Sequence, residues 1–533
     1  MILPEAVNRY RQDVAESLEW LKDVPEVDLD ARLRDEGFAS TSPLPMWKHQ
    51  KVCALLGIAY PAFPFFVDMG LGKSRITLDL FYHFAKRKKE NKTGLILVPN
   101  LPNIENWKDQ IQEHTPDLRA EYLYGSGAER LARVGSSNAD LFVINYAGLV
   151  SMASTATEMS ESARTKRKNS PKRRYIPDPA KLKILTNKLD FLIFDESTEF
   201  KNHATTTYQV CEYLARFATR RYGLTGTPFG RSPHDLWAQY YVLDRGKTFG
   251  STLGMFRTAY FTTKRNYWGG WVYKFEKKRE PDLVRKLVGS SMRYHIEECL
   301  DLPPSIASVQ RIFPSRESFP YYKTVHGASV TNARDRKTIE THFMRLRMIA
   351  SGFLEYGEDE ERIEIVFKDN PKRDALLEKI LEMPDKSKAV IFHFFVRSGE
   401  LVSNALTKIK IKHARIFGGT KDKAAELRKF LDNPTCRALI INEDIGALGL
   451  NLQVANHLMF YESPISPIPR QQAEARCRRP GQEKTVFISD FTTVGTVEEV
   501  VYAYMKEGKD LLRELLDKGE MYNQKELESF IQD

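Results

Sequence analysis

The stretch Phe65-Phe-Val-Asp-Met-Gly-Leu-Gly-Lys-Ser74 joins a short apolar run to a glycine-rich turn. The apolar run predicts a buried β-strand, and a helix that begins near Lys73 would point its N-terminus into the turn. In such a loop the lysine meets terminal phosphates and the Ser74 hydroxyl binds Mg²⁺. The backbone N–H groups that would wrap the phosphates belong to Met69, Gly70, Leu71 and Gly72. We therefore predict a nucleotide site, with a chance glycine-rich turn as the alternative for this motif taken alone.

Short apolar runs alternate with helical stretches along most of the chain, which is typical of parallel sheets wrapped by helices. The first series comprises Phe65–Val67, Leu95–Val98, Leu141–Ile144, Phe191–Phe194 and Tyr222–Thr225. The second series comprises Ala389–Phe392, Ala414–Phe417, Ala438–Ile441, Leu458–Tyr461 and Val486–Ile488. The pattern lapses between the two series, so the sequence predicts an α/β protein with two lobes.

Weaker signals mark the ends of these lobes. Val14, Leu18 and Leu21 follow helical spacing, which predicts an amphipathic helix that Pro25 ends. The pair Gly269-Gly270, flanked by aromatic residues, predicts a tight hairpin. The predicted organisation is an N-terminal helical element (1–45), a first lobe (46–245) with a basic insertion (151–188), an insertion with the hairpin and a linker (246–315), a second lobe (316–515) and a tail (516–533).

The composition favours a large core and a polyanionic partner. Hydrophobic residues make up 42% of the 533 residues, and Lys plus Arg number 80 against 70 acidic residues, a formal net charge of +10. An excess of positive charge favours nucleic acid as a partner. The five cysteines are scattered without a Cys-x-x-Cys pair, which indicates a reducing compartment and no zinc. Because no secretion signal or apolar stretch of about eighteen residues stands out, we expect a cytoplasmic protein without a membrane partner.

Two carboxylates follow the apolar run Phe191–Phe194, at the tip of a predicted strand. Asp195 is placed to hold Mg²⁺ through water, and Glu196 can polarise an attacking water as general base. A solvated acidic pair at a strand end is the bland alternative, but a sheet shared with the phosphate loop argues against it.

Two arginines near the end of the chain are candidates for a second contact with the nucleotide. Arg476 and Arg479 stand three positions apart, so on a helix they would share one face. A guanidinium is suited to stabilising charge on a transferring phosphoryl group. We predict that both reach the nucleotide held by Lys73, and that Arg478 belongs to a solvated face.

Taken together, these motifs resemble those of superfamily-2 nucleic-acid motors, specifically the Swi/Snf-type translocases. The resemblance implies two tandem RecA-like lobes that bind ATP and Mg²⁺, with Gln50 of Trp47-Lys-His-Gln50 contacting the adenine. The other segments that resemble family motifs are Leu97–Asn100 with Asn106-Trp107 (motif Ia), Asn145-Tyr146 (Ib), Asp195–Asn202 (II), Leu224–Pro228 followed by Asp235–Trp237 (III), Asp444–Leu452 with the nucleotide-contacting Gly449 (V), and Gln472–Gln482 (VI).

The resemblance also implies contacts with DNA, mostly to backbone phosphates. The residues expected to make them are Asn100, Asn106, Tyr146 and Asn451. The insertion residues Lys166, Arg167 and Lys168 would add a phosphate clamp, with a solvated loop as the alternative. Trp268 and Trp271 of the hairpin would stack on bases, with packing against the first lobe as the alternative.

The chain departs from the family pattern at three places. Ser197-Thr198 replace Ala or Gly followed by His, so the contact from motif II to motif III is expected to differ. Ile465 stands where a tryptophan is expected, and His393-Phe394 replace the polar pair of motif IV. The long helical protrusions and reader domains of chromatin remodellers are not recognisable, which fits a compact prokaryotic or phage enzyme.

We therefore expect a monomeric, ATP-driven translocase on duplex or branched DNA that remodels replication or recombination intermediates in a bacterial or phage-infected cell. An ATPase that recycles RNA polymerase is one alternative, which ATPase activity indifferent to DNA would favour. A nucleotide-gated DNA-binding module without turnover is another, and the presence of Glu196, Arg476 and Arg479 argues against it.

Overall fold

The computed structural model describes residues 17–88, 93–158, 173–226, 228, 233–265, 270–332, 336–357, 363–442 and 450–507. The chain divides into two compact units, Met1–Thr262 with Tyr273–Leu300 and Thr263–Val272 with Asp301–Asp533. Several predictions fall outside the described residues: those for Val14, Lys166, Arg167, Lys168, Trp268, Gly449 and the tail 516–533.

The first unit is built on a seven-stranded parallel sheet. The strands up to residue 294 are β1 (Ala62–Val67), β2 (Gly94–Val98), β3 (Ala120–Tyr122), β4 (Leu141–Asn145), β5 (Ser154–Glu158), β6 (Arg173–Pro177), β7 (Phe191–Asp195), β8 (Arg220–Leu224), β9 (Phe261–Arg265), β10 (Trp271–Phe275) and β11 (Met292–Tyr294). The large sheet has the order β11-β1-β8-β7-β2-β4-β3, while β5 pairs with β6 and β9 with β10. All five strands predicted for this lobe are present in it, so the predicted parallel sheet is confirmed.

Helices cover the sheet of the first unit. They are α1 (Glu26–Asp35), α2 (Lys48–Ala59), α3 (Lys73–Tyr82), α4 (Leu101–His114), α5 (Gly127–Ser136), α6 (Tyr146–Ala153), α7 (Pro179–Lys188), α8 (Thr206–Phe217), α9 (Leu236–Asp244), α10 (Leu253–Tyr260), α11 (Glu280–Ser290) and α12 (Ile296–Cys299). Phe142 and Phe194 from the strands share one apolar cluster with Leu149 of α6 and Leu214 of α8. Burial of such side chains holds each helix to the sheet.

From residue 17 onward, where the structure describes the N-terminal segment, the predicted end of its helix at Pro25 is wrong. Glu19–Lys22 form a single 3₁₀ turn, and Pro25 is the N-cap residue of α1. Proline is tolerated at a helix start, where its missing N–H has no partner to lose, so Pro25 begins a helix here and does not end one.

The second unit contains a six-stranded parallel sheet. Its strands are β12 (Ser305–Ile312), β13 (Phe353–Tyr356), β14 (Ile363–Val366), β15 (Ala389–His393), β16 (His413–Ile416), β17 (Ala438–Asn442), β18 (His457–Phe460) and β19 (Val486–Thr493). The sheet has the order β12-β19-β18-β15-β17-β16, and β13 pairs with β14 in a separate antiparallel ribbon. Its helices are α13 (Phe319–Asn332), α14 (Arg336–Ala350), α15 (Pro371–Leu381), α16 (Val396–Lys408), α17 (Lys423–Asp432), α18 (Pro467–Glu474) and α19 (Val497–Lys506). The predicted second α/β lobe is confirmed.

The three strands of the two parallel sheets that the apolar pattern missed lie at sheet edges. β3 has no fully buried residue, β11 has only three residues, and β12 is mostly exposed along its length. An edge strand is covered less than a central one, so its composition carries a weaker apolar signal. None of the helices in the described part of the chain is long and apolar enough to span a membrane.

Candidate functional site

The phosphate-loop residues lie between the carboxyl end of β1 and the N-terminus of α3. Gly70 has a φ of +87°, and Gly72, the N-cap residue of α3, has a φ of +75°. Other residues adopt this left-handed region only at a cost. A Cβ on Gly72 would also lie 2.3 Å from Nε2 of Gln50. Glycine at position 72 is therefore favoured by the backbone, and a side chain there would displace the Gln50 amide.

Two predicted nucleotide contacts lie against this loop. Gln50 is buried, with its Nε2 donating to the Leu71 carbonyl at 3.3 Å and its Oε1 accepting from the Trp47 N–H at 3.0 Å. The Lys73 ammonium donates to the Val67 carbonyl at 2.7 Å. The structure thus brings Gln50 and Lys73 to the backbone that would wrap the phosphates.

The two predicted catalytic carboxylates follow β7 in the same sheet. Burial, reinforced by the charge of Glu196, raises the pKa of Asp195 to about 6, while the charge of Lys73 opposes the rise. Glu196 has a φ of +50° and accepts a hydrogen bond of 3.0 Å from the Thr225 hydroxyl. A non-glycine residue in this conformation costs on the order of 1–3 kcal/mol, and such strain clusters at active sites. Lys73, Asp195 and Glu196 therefore form one polar group at the carboxyl ends of the strands.

Asp195 is held by two other segments of the first unit. The Trp107 indole N–H, from α4, donates to the Asp195 carboxylate at 2.8 Å. The Tyr146 hydroxyl, at the start of α6, donates to the Asp195 backbone carbonyl at 3.0 Å. Trp107 and Tyr146 belong to the segments that resemble motifs Ia and Ib. Both segments therefore contact the end of the strand that carries the carboxylates.

The Tyr146 contact corrects a prediction. We expected its side chain to contact DNA, but it is 3% exposed and its hydroxyl donates to Asp195. A side chain enclosed in this way offers no surface to a nucleic-acid backbone. Its role in the structure is to join α6 to β7.

The corner after Glu196 is joined by hydrogen bonds to the segment that resembles motif III. The Ser197 hydroxyl donates to Oε1 of Gln239 at 2.8 Å. The Gln239 amide nitrogen then donates to the Pro228 carbonyl at 2.6 Å and to the Asp235 carbonyl at 3.0 Å. A glutamine on α9 thus links the corner to Pro228, and the expected difference from the family pattern stays a prediction.

The other residues predicted to contact DNA have varied surroundings. Asn100 caps α4, with its side chain accepting from the Asn103 N–H at 3.3 Å, and Asn106 is exposed on the same helix. Asn451 is exposed in the second unit, where its side chain accepts from the Gln453 N–H. Asn106 and Asn451 are accessible to a polymer, and their role as DNA contacts stays a prediction.

The hairpin divides its aromatic residues between two environments. Trp271 is 60% exposed, with the Arg265 guanidinium 5.4 Å from its ring. Tyr273 stacks on His234 with ring centroids 5.7 Å apart, and the Arg257 guanidinium lies over the Tyr273 ring, 4.0 Å from its centroid. Tyr273 therefore packs against side chains of the first unit. Trp271 is exposed, so its ring is accessible to a base.

The predicted helical placement of the two arginines is wrong. Helix α18 ends at Glu474, and the residues from Ala475 onward form turns. Arg476 is buried, and Arg479 donates from Nε to the Ala475 carbonyl at 2.8 Å. Burial lowers the pKa of the Arg479 guanidinium.

Turns after α18 are fixed by a buried glutamine. The Gln482 amide nitrogen donates to the carbonyls of Gln453, Ala455 and Cys477, at 3.0, 2.9 and 3.2 Å. The Leu452 N–H also donates to the Arg476 carbonyl at 3.0 Å. Because these bonds join the segment after residue 450 to the turns, the backbone that carries Arg476 is held in place without a helix.

The residues at two other departures from the family pattern, Ile465 and His393, pack in the core of the second unit. Ile465 packs against an apolar cluster that includes Ile339 and Phe343. His393 is buried, its Nδ1 lies 2.9 Å from the Phe395 carbonyl, and burial lowers its pKa to about 4. A buried histidine whose pKa is lowered therefore lies at the end of β15, where the family pattern has the first residue of a polar pair.

Sequence reasoning missed three residues of this site. Trp107 and Thr225 lie inside segments that were recognised, but nothing in their spacing indicated that they contact Asp195 and Glu196. Gln239 follows Trp237 on an otherwise apolar helix. A buried polar side chain needs a hydrogen-bond partner, and this was the one signal that could have drawn attention to Gln239.

Comparison with known proteins identifies two family domains and several relatives. Residues 65–362 match the SNF2-related domain, and residues 371–481 match the helicase conserved C-terminal domain. A putative ATP-dependent helicase/translocase of Bacillus subtilis, YwqA, is 24% identical over 85% of this chain and 46% of that protein. The transcription regulatory protein SNF2 of Saccharomyces cerevisiae is 24% identical over 86% of this chain and 26% of that protein.

Among solved structures, the SWI2/SNF2 ATPase core of Sulfolobus solfataricus in complex with dsDNA shares 20% identity over 90% of this chain and 94% of that one, with a TM-score of 0.39. The chain spans less than half the length of the two curated relatives. Because the match to the SNF2-related domain alone covers more than half of the 533 residues, the chain belongs to the SNF2-related family.

Proposed function

We propose that this chain is an ATP-driven translocase on double-stranded DNA that remodels branched replication or recombination intermediates, with strand unwinding secondary. The observation that carries the proposal is the pair of hydrogen bonds from Trp107 and Tyr146 to Asp195. The Trp107 bond reaches the Asp195 carboxylate and the Tyr146 bond reaches its backbone carbonyl, so two segments that resemble DNA-contacting motifs are joined to the residue expected at the ATP. The similarity to a putative ATP-dependent helicase/translocase of Bacillus subtilis and the net charge of +10 support the same proposal.

The nucleotide chemistry follows from the residues of the phosphate loop and β7. Lys73 would bind the terminal phosphates, and Glu196 would orient the attacking water and accept its proton. A magnesium ion fits the site because Mg²⁺ takes one or two protein oxygens and completes its shell with phosphates and water. Ser74 and Asp195 would hold it, and the ion would neutralise charge on the phosphates.

The arginines of the second unit would complete the reaction. In the proposed cycle Arg476 and Arg479 approach the phosphates when ATP is bound and withdraw after hydrolysis. The repeated approach moves one lobe along the DNA backbone. We further propose that the protein works as a monomer in the cytoplasm of a prokaryote or a phage-infected cell.

The test is ATP hydrolysis with and without nucleic acid. We expect duplex, forked and four-way DNA to raise kcat, and the gain to fall with added salt as phosphate contacts are screened. Displacement of a labelled strand or arm from the three substrates then ranks them. An ATPase rate that no nucleic acid changes would exclude the translocase proposal.

A further inference from the structure

We propose that Gln239 is a positioning residue that couples the segment after β8 to the catalytic carboxylate of Glu196. The inference rests on the proposed function, because it concerns how hydrolysis responds to that segment. In this proposal the hydrogen bond between Ser197 and Gln239 takes the place of the contact that the family pattern would place at Ser197-Thr198.

The geometry is a continuous path of hydrogen bonds. Ser197, next to Glu196, donates to Gln239 at 2.8 Å, and Gln239 donates onward to the carbonyls of Pro228 and Asp235 at 2.6 and 3.0 Å. Ser197 and Gln239 are each 1% exposed. One side-chain amide therefore accepts from Ser197 and donates to Pro228 in the segment after β8, whereas its bond to Asp235, the N-cap residue of α9, lies within its own helix.

Packing alone does not explain a glutamine at this position. Its neighbours on α9, Leu236, Trp237, Tyr240 and Val242, are all buried. A buried hydrogen bond adds only about 1 kcal/mol net, and an apolar side chain of the same shape can serve stability as well. What an apolar residue cannot do is fix the register of two loops against each other.

The path ends at a residue that is already strained. Glu196 has a φ of +50° and accepts from the Thr225 hydroxyl at 3.0 Å. The segment after β8 thus contacts the catalytic corner twice, directly through Thr225 and through Gln239 and Ser197. A shift of Pro228 is transmitted through Gln239 to the residue that follows the general base.

The test compares Gln239→Met, Gln239→Glu and Ser197→Ala with the control Gln209→Met, which lies on the exposed face of α8. We expect Gln239→Met to lower kcat about tenfold with the KM for ATP unchanged, since the bonds act on positioning and not on binding. Gln239→Glu keeps the acceptor for Ser197 but sets a carboxylate against two carbonyls, so its kcat should fall at least as far. Gln209→Met should match the wild type.

A double variant separates positioning from folding. Because Ser197 and Gln239 act through one bond, Ser197→Ala with Gln239→Met should be no slower than Gln239→Met alone. Additive losses, a wild-type kcat in Gln239→Met, or a loss that only tracks a lower unfolding temperature would overturn the proposal. If DNA does not raise the kcat of the wild type, the proposed translocase function is wrong. The basal kcat of the variants then still tests the positioning role of Gln239. A wild type without any ATPase overturns both.

Discussion

Trp107 donates its indole N–H to the carboxylate of Asp195 at 2.8 Å, across 88 positions of sequence. The ring is buried, and its helix begins at Leu101, just after the Asn100 cap. The same hydrogen bond counteracts the effect of burial on the pKa of Asp195. A helix expected at the DNA therefore contacts the carboxylate expected at the metal.

Trp107→Phe should lower kcat about tenfold at pH 7.5, because it removes a hydrogen bond to a charged group while keeping an aromatic ring. The gain in kcat on adding DNA should shrink as well. Steady-state ATPase assays with and without duplex DNA measure both effects. The control is Trp20→Phe at an exposed position, and equal effects of the two changes would contradict the assigned role of Trp107.

Gly72→Ala should abolish nucleotide binding. The new methyl group would meet the Gln50 amide at 2.3 Å in a backbone with a φ of +75°. Gly37→Ala is the matched control, because Gly37 has a φ of +68° with nothing within 4 Å of the added Cβ. Both variants should lose about 1 kcal/mol of stability from backbone strain, but Gly37→Ala should still bind a fluorescent ATP analogue. A Gly72→Ala protein that binds as tightly as the wild type would show that the close contact relaxes.

Arg479→Ala should leave ATP affinity within a few-fold of the wild type and lower kcat by about 10³ or more, as expected for a cation that stabilises the transition state. Equilibrium binding and single-turnover hydrolysis separate the two quantities. Arg478→Ala is the comparison, with a small expected effect on either. A parallel loss of binding in Arg479→Ala would argue for a ground-state contact.

The pH dependence of stability should reflect buried histidines. Burial lowers the pKa values of His83, His393 and His457 to about 4, whereas the ordinary value is about 6.5. Below pH ~6.5 the unfolded chain binds more protons than the folded one, so stability is complete above that pH and is lost as the pH falls toward about 4. Thermal unfolding should show a lower Tm at pH 5 than at pH 7. His393→Asn should reduce this difference, and an unchanged difference would assign the pH dependence to other groups.

The central strands could be predicted because they are buried on both faces. Short, continuous apolar runs such as Ala438–Ile441 and Phe191–Phe194 are typical of strands that are buried on both faces of a parallel sheet. β3, β11 and β12 escaped prediction because an edge strand lacks that constraint. The placement of Arg476 and Arg479 was wrong for a different reason: their spacing fits a helix, but the helix ends at Glu474 and hydrogen bonds from Gln482 hold the turns.

The sequence by itself determined the parallel sheets, the phosphate loop and the two carboxylates, because backbone requirements and apolar runs are local properties of the chain. Only the tertiary structure decided that Trp107 and Tyr146 contact Asp195, and that Gln239 joins Ser197 to Pro228. A hydrogen bond between distant side chains depends on sheet order and on the direction in which each helix faces. Neither is recorded in the spacing of residues along the chain.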